Sequence, residues 1–323
     1  MKKKFLFLMT LLAVSLLALA EMTIYVYKKD GTKVSYVAST LDSIGFVNIY
    51  TITFDANGGE GSMDKQKCQE GESVILSSNT FTNGHSTFIG WNTAADGRGT
   101  AYADQASITP NANLTLYAQW EETTTGTENG HEWVDLGLPS ATLWATMNVG
   151  ADSPEDYGDY FAWGETSPKE EYNWSTYKWC NGSSTIQTKY CISSSQGTVD
   201  NKTVLELADD AANANWGGSW RMPTIAEQSE LRTECTWTLT TQNGVKGYKV
   251  TSKINGNSIF LPAAGYRHYS DLVDAGSCGY VWSSSLSTYF SAAAYYLYFY
   301  SSEVGGNGDG RLSGRSVRPV MKK

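Results

Sequence analysis

Gly217-Gly218-Ser219-Trp220-Arg221-Met222-Pro223-Thr224-Ile225-Ala226-Glu227-Gln228-Ser229-Glu230-Leu231 is the stretch from which the rest of this chain is read. Two glycines make a turn, Trp220 supplies an aromatic anchor, and Pro223 stops a helix from extending backwards. Thr224 followed three residues later by Glu227 is a capping box, in which each side chain bonds a backbone N–H that the first helical turn leaves unpaired. A helix is expected from Ile225 to about Arg232. The residues after His131 have the composition of a domain that buries this stretch. Those before it have the composition of an export signal and a stalk, which points to a displayed module rather than an enzyme.

The chain has 323 residues, room for about two or three domains. With 20 Tyr, 11 Trp and 31 Gly against 7 Pro, it favours many short aromatic-packed strands joined by glycine turns. The expected fold class is mainly β with few short helices (α+β). The formal net charge is −9, and removing the lysines at positions 2, 3 and 4 makes it more negative. Such a surface repels phosphate backbones, so nucleic acid is not an expected partner.

Residues 1–20 read as a signal peptide cleaved near Ala20: three lysines, an apolar run from Phe5 to Leu19, then Ala18-Leu19-Ala20. No Cys follows that run, which closes the lipoprotein route, and no later stretch reaches the roughly 20 apolar residues of a membrane span. The expected location is secreted or at the cell surface or outer membrane. There the five cysteines, Cys68, Cys180, Cys191, Cys235 and Cys278, meet an oxidising environment. Cys180 with Cys191, and Cys235 with Cys278, are the candidate disulfides. Closing the first loop would contribute about 3 kcal/mol in the chain-entropy model. Buried thiols without bridges are the alternative, because connectivity is not written in spacing.

Residues 21–50 read as a hairpin arm, with Ile24, Val26, Val34 and Tyr36 alternating around Asp30-Gly31. Thr40-Leu41-Asp42-Ser43-Ile44-Gly45-Phe46 resembles the segment that follows the signal peptide in many exported Bacteroidetes proteins. In residues 51–120, Thr51-Ile52-Thr53-Phe54-Asp55-Ala56-Asn57-Gly58-Gly59, Phe88-Ile89-Gly90-Trp91-Asn92 and Leu114-Thr115-Leu116-Tyr117-Ala118-Gln119-Trp120 resemble the Listeria/Bacteroides repeat, the B repeat of internalin-type surface proteins. The resemblance implies a small ubiquitin-like β-grasp fold used as a stalk or weak interaction module. Cys68 departs from the repeat and, if exposed, would allow a disulfide-linked dimer. Residues 121–130, with Thr123-Thr124-Thr125 and no apolar residue, read as a linker.

Residues 131–323 read as one aromatic-rich domain. Leu205, Ala208 and Ala212 would share a face of a helix over residues 205–213, while Tyr295, Leu297 and Phe299 alternate with Tyr296, Tyr298 and Tyr300 along a strand. Trp133-Val134-Asp135-Leu136-Gly137-Leu138-Pro139, Tyr160-Phe161-Ala162-Trp163-Gly164-Glu165, Gly217-Gly218-Ser219-Trp220-Arg221-Met222-Pro223-Thr224, Leu261-Pro262-Ala263-Ala264-Gly265-Tyr266-Arg267, Gly279-Tyr280-Val281-Trp282-Ser283-Ser284 and Gly314-Arg315-Ser316-Val317-Arg318-Pro319 follow in order. They resemble the Fibrobacter major paralogous domain and, through it, the C-type lectin-like fold. Trp220, Arg221, Pro223, Thr224, Glu227 and Trp282 are assigned structural roles.

Arg221-Met222-Pro223-Thr224 with Glu227 is also similar to a segment of formylglycine-generating enzymes. Those enzymes need a paired active-site cysteine, and Cys278 stands alone near Tyr280. No catalytic residue is assigned. The acidic run Asp152, Glu155, Asp156, Asp159 and Glu165 reads as a solvated loop rather than a glycosidase pair. His85, His131 and His268 are scattered, and Trp282 leads into Ser283-Ser284 where calcium-binding lectins carry carboxamide and carboxylate oxygens. Gly305-Gly306-Asn307-Gly308-Asp309-Gly310 reads as a glycine-rich turn without the ligand order of a calcium loop. Neither a metal nor a cofactor is therefore expected.

Recognition is assigned to the loop of residues 266–278, where Tyr266, Arg267, His268, Tyr269, Asp271 and Asp274 put aromatic faces beside hydrogen-bonding heads. The expected function is a secreted or surface binding protein for a glycan or a protein partner. A fimbrial or matrix subunit assembled by strand addition is the structural alternative, and an enzyme related to formylglycine-generating enzymes is the catalytic one.

Overall fold

The computed structural model describes residues 23–28, 30–37, 47–301 and 303–323. The signal peptide and the segment Thr40–Phe46 lie outside them. The protein is mainly β, and its contacts divide it into two compact units.

The first unit is built on a five-stranded sheet in the order Gln66–Gln69, Ile49–Asp55, Leu114–Glu122, Ser86–Asn92, Ala101–Tyr102. Ile49–Asp55 and Leu114–Glu122 run parallel, and alternation sends Ile52, Phe54, Leu116 and Ala118 to one buried face. Trp91 is 1% exposed and meets the rings of Phe54 at 4.9 Å and Phe88 at 5.0 Å. Trp120 turns its indole N–H to the Ala56 carbonyl at 2.9 Å. Gly59 passes so close beneath that ring that a Cβ would sit 2.7 Å from it. Cys68 is buried, with its thiol 3.1 Å from the Glu72 carbonyl, so it is not placed to cross-link two copies. The arm is a hairpin of Thr23–Tyr27 and Lys33–Val37, turned at Asp30-Gly31, where Asp30 accepts from the Thr32 amide at 2.9 Å.

The second unit opens with a difference from the sequence reading. Thr125–Glu128, within the expected linker, is the outer strand of a four-stranded sheet that continues through His131–Asp135 and Thr142–Ala145 to Val320–Lys322. The turn is Asn129-Gly130, both at positive φ, the pairing that matches strand twist in a two-residue hairpin. Gly126 contributes by having no side chain: a Cβ there would lie 2.4 Å from the Trp133 ring.

Two short helices follow. Asp210 interrupts the single helix expected over residues 205–213, leaving a 3₁₀ turn at Leu207–Asp209 and helix α1 at Ala211–Trp216. Its carboxylate accepts from Ala212 N, Asn213 N and Met222 N at 2.9, 3.1 and 2.8 Å, which caps α1 and ties it to the chain beyond Trp220. Burial raises the Asp210 carboxyl to about 6 against those bonds.

Helix α2 runs Ile225–Glu234. Thr224 Oγ1 accepts from Glu227 N at 3.2 Å and Glu227 Oε2 from Thr224 N at 2.9 Å, closing the capping box. The Glu227 carboxylate does more than cap. Arg221 donates to its two oxygens at 2.8 and 2.5 Å, and the Thr142 hydroxyl bonds it at 3.0 Å. Arg221 in turn exchanges backbone bonds with Val320 at 2.9 and 2.8 Å. One carboxylate thus joins the start of α2 to a strand from each end of the domain.

Trp220 is fully buried, and its indole donates to the Glu128 carbonyl at 2.9 Å. The turn Gly217-Gly218 therefore packs under the 125–130 hairpin, where a Cβ on Gly218 would come within 2.8 Å of Glu128. Trp282-Ser283-Ser284-Ser285 holds the other side of α2. Ser285 Oγ accepts from Ile225 N at 3.1 Å, Ser284 N donates to Pro223 O at 2.8 Å, and Gln228 donates to Val281 O and Trp282 O at 3.1 Å. Two three-stranded sheets complete the unit: Cys235–Gln242, Val245–Ser252, Ser258–Pro262, and Gly279–Leu286, Ala293–Tyr300, Glu303–Gly310. The glycine-rich stretch expected as a turn is the outer strand of the second.

Burial alone would raise the Glu227 carboxyl, but Arg221 and the Thr224 amide outweigh it and hold the pKa at about 2. A depressed folded-state pKa means that this stabilisation is complete above the ordinary glutamate range and is lost as pH falls toward 2. Glu227→Gln should cost about 3 kcal/mol at neutral pH, since it strands a half-buried guanidinium. In urea unfolding at pH 7, 4.5 and 2.5 the gap between wild type and variant should shrink stepwise. A gap independent of pH would contradict the clamp.

Candidate functional site

The six residues of the expected recognition loop divide into two groups. Tyr266–His268 pairs with Asp271–Val273, and Tyr269, at φ 50°, makes the turn. Tyr269 exchanges backbone bonds with Tyr172 at 3.0 Å each way, and Arg267 does the same with Gly314 at 2.7 and 2.9 Å. The Arg267 guanidinium sits 5.5 Å over the Tyr160 ring and donates to Ser270 O at 3.2 Å; His268 stands edge-on to Tyr269 at 4.7 Å. Asp271 is exposed at the same turn. Tyr266 and Asp274 instead meet Tyr280, whose ring is 5.1 Å from Tyr266 and whose hydroxyl donates to Asp274 at 3.1 Å.

Tyr266 and Tyr280 are part of a cage around a residue to which sequence reading gave no role. The Arg315 guanidinium, 2% exposed, is surrounded by the rings of Tyr266 at 5.6 Å, Tyr280 at 5.2 Å, Trp282 at 4.7 Å and Tyr296 at 3.6 Å. A buried cation over aromatic faces is stabilised by the ring quadrupoles, and here it is also paired with the Asp309 carboxylate. Burial lowers the Arg315 pKa and Asp309 opposes that shift. The arginine's backbone is fixed by reciprocal bonds with Phe161 at 3.0 Å. Asp309 itself remains 49% exposed, on the sheet face that it shares with Tyr296.

On the other face of that sheet, where Tyr295 stands opposite Gly308, a cleft of about 560 Å³ lies between the outer strand Glu303–Gly310 and the turn that follows Leu286. Trp174, Tyr289, Phe290 and Tyr295 supply rings and Ser287 borders them; Asn307 and Asp309 reach the cleft only from the strand edge, since their side chains leave the strand on the Tyr296 face. Tyr289 is 89% exposed and Phe290 43%. Tyr289 is carried by a tight turn in which its amide donates to Ser287 Oγ at 3.3 Å, while the Tyr295 and Thr288 hydroxyls bond at 2.9 Å. Glycines at 306, 308 and 310 leave the floor bare. A Cβ at Gly308 would make ordinary contacts with Ser287 and Tyr295 at 3.7 and 3.8 Å, so the strand has room there for a methyl group that would shallow the cleft. Thr288-Tyr289-Phe290 offered a sequence signal, since neighbouring rings on a polar turn cannot both pack inward.

The acidic run is engaged elsewhere. Glu165 accepts from Lys178 N at 2.8 Å and binds Lys169 at 2.9 Å, while Glu155 accepts from Gln242 and Asn243. Arg221 and Glu227 serve the clamp of α2. No group of three or more His, Cys, Asp or Glu with metal-holding geometry occurs among the described residues.

Neither candidate disulfide is formed. Cys180 points to the Trp174 carbonyl at 3.1 Å and Cys191 to the Ser193 carbonyl at 3.2 Å; Cys235 is buried, and burial raises its thiol to about 11. The elements around them direct each sulfur to a local carbonyl instead of to its expected partner. Without reductant, the denatured protein should release five thiol equivalents to a disulfide reagent, and the native protein should react first at Cys278, the one cysteine that is not buried. One or three equivalents would show bridges.

Residues 50–119 match the family model of the Listeria-Bacteroides repeat domain. No curated protein and no solved structure matches the chain. The matched residues span the sheet and the Trp91-centred core of the first unit, so the protein carries a Listeria-Bacteroides repeat domain.

Proposed function

We propose that this is a secreted or surface-displayed, non-enzymatic binding protein. In this reading a β-grasp stalk, the Listeria-Bacteroides repeat, bears a C-type lectin-like domain related to the Fibrobacter major paralogous domain. That domain engages a glycan or a protein partner.

The observation that carries the reading is the cleft between Glu303–Gly310 and the turn after Leu286, where Trp174 and the exposed rings of Tyr289 and Phe290 border a strand of bare glycines. Solvent-facing rings around a concave surface are the usual makings of a recognition site. The pairing of Thr142–Ala145 with the final strand Val320–Lys322, which joins the domain's two ends, supports the lectin-like assignment. So do the long irregular segments that carry the rings. No helix of the described residues is long and apolar enough to cross a membrane.

The same outer strand, Glu303–Gly310, is an open sheet edge and favours the second reading, a subunit assembled by strand addition. The two are separated by presenting the purified chain to a glycan array and a panel of surface proteins, and by following its size with concentration. Saturable binding by a monomeric chain is the expected result. Fibres without ligand binding would establish the assembly role and overturn this one.

A further inference from the structure

A second pocket, of about 220 Å³, lies at one end of the core between the two three-stranded sheets and shares no lining residue with the cleft beside Tyr289. Strand alternation turns Leu239, Lys246 and Tyr248 to one face of the first sheet: Leu239 is the register partner of Tyr248, and Lys246 lies two residues before it. Ala263 lies beside them, its amide donating to the Lys246 carbonyl at 2.9 Å. Phe299 enters from the second sheet, its ring 5.5 Å from that of Tyr248. Leu239 is 53% exposed although it shares the core-facing side of its strand with Trp237, so the pocket is where this core opens to solvent. The walls are therefore apolar. Lys246 is the one charged residue that lines them, and among the described residues it has no ion pair. The carboxylate of the neighbouring loop, Asp274, accepts from the Tyr280 hydroxyl at 3.1 Å, and Tyr280, paired with Tyr298, leaves its strand on the face opposite Phe299. An apolar pocket with one unbalanced cation favours an anion that carries an apolar body. A cationic ligand would be repelled by Lys246, and a polyanion would meet a single cation on a chain of net charge −9. The volume is below the roughly 300–1,000 Å³ of sites for drug-sized ligands, which leaves room for one ring or a short branched chain.

We propose that this pocket binds one small monocarboxylate with an apolar body, either as a free acid or as the last residue of a peptide. The body packs between Tyr248 and Phe299 and against Leu239, and the carboxylate pairs with the Lys246 ammonium in a charge-assisted hydrogen bond. Ser301 lines the same pocket and offers a hydroxyl that donates to the second carboxylate oxygen. The inference goes beyond the recognition reading above and does not rest on it, because the two sites are built from different residues.

The test is a ligand titration of the full chain followed by NMR, with 3-phenylpropionate and 4-methylpentanoate as acids, 3-phenylpropanamide and 3-phenylpropylamine as neutral and cationic counterparts, and a tetrapeptide ending in phenylalanine with a free or an amidated terminus. Saturable binding of an acid at least fivefold tighter than its amide and tenfold tighter than the amine is expected. Lys246→Gln should bring acid and amide to equal affinity, and Lys246→Arg should keep the preference. Leu239→Asp, which sets a carboxylate at the mouth, should weaken the acid at least tenfold. Leu207→Asp, the same change of charge at a leucine 57% exposed and outside the pocket, should leave it intact. Binding of the free acids without the peptide assigns a small metabolite as the source, and binding of the free-terminus peptide without them assigns a chain end. No saturable binding of either, an amine as tight as the acid, or a preference for the acid that persists in Lys246→Gln would overturn the proposal. Such a failure leaves the outcome of the glycan array, and with it the recognition reading, untouched.

Discussion

A single carboxylate, that of Glu227, holds the second unit together. It caps α2, pairs with Arg221, and accepts from Thr142 on the sheet that joins the two ends of the domain. Each of these bonds depends on the others. Arg221 is placed by its backbone pairing with Val320, and α2 is pinned from the far side by Gln228 and Ser285. With strands distributed over several small sheets, a charged knot where the start of α2 meets Thr142 and Val320 ties them together. Its stabilisation comes from complete satisfaction: a half-satisfied version of the same network would cost more than an apolar core.

The capping box at the centre of that knot was legible in the sequence, whereas the bonds of Glu227 to Arg221 and Thr142 were not. The Thr-x-x-Glu spacing behind a proline describes local geometry, and local geometry is what a sequence states most directly. The hairpin at Asp30-Gly31 and the alternating strands of the repeat were legible for the same reason. Residues 121–130 were misread because Thr and Gly carry no hydrophobic signal. Their strand is held by the Trp133 ring lying over Gly126 and by the Trp220 indole reaching Glu128, contacts made by residues distant in sequence. The helix over 205–213 was misread because Asp210 looks like any polar helix residue until Met222 donates to it from beyond the next turn.

The candidate site was legible only in part. Tyr266 and Asp274 lie near the Arg315 cage, but Arg315 itself looked like one basic residue in a terminal strand. Only the topology brings Trp282 and Tyr296 together, as cross-strand neighbours, against its guanidinium. The glycine-rich stretch was read by composition as a turn. Pairing with Ala293–Tyr300 makes it a strand, and its missing side chains become the floor of a cleft. The division of labour that results is physical. The Glu227 carboxylate and the Arg318 guanidinium, which donates to Asn148 Oδ1 and to the Ala145 and Phe260 carbonyls at 2.9, 3.1 and 3.0 Å, stabilise the fold. The rings that the core leaves out, Tyr289 and Phe290, border the cleft.

The ring-lined cleft beside the outer strand marks the binding surface. A crystal structure of the full chain soaked with the oligosaccharide that binds it best tests this directly. A sugar ring seated in the cleft against Tyr289 is the expected result. A sugar seated on the Tyr269 turn, or held through a metal ion, would contradict it.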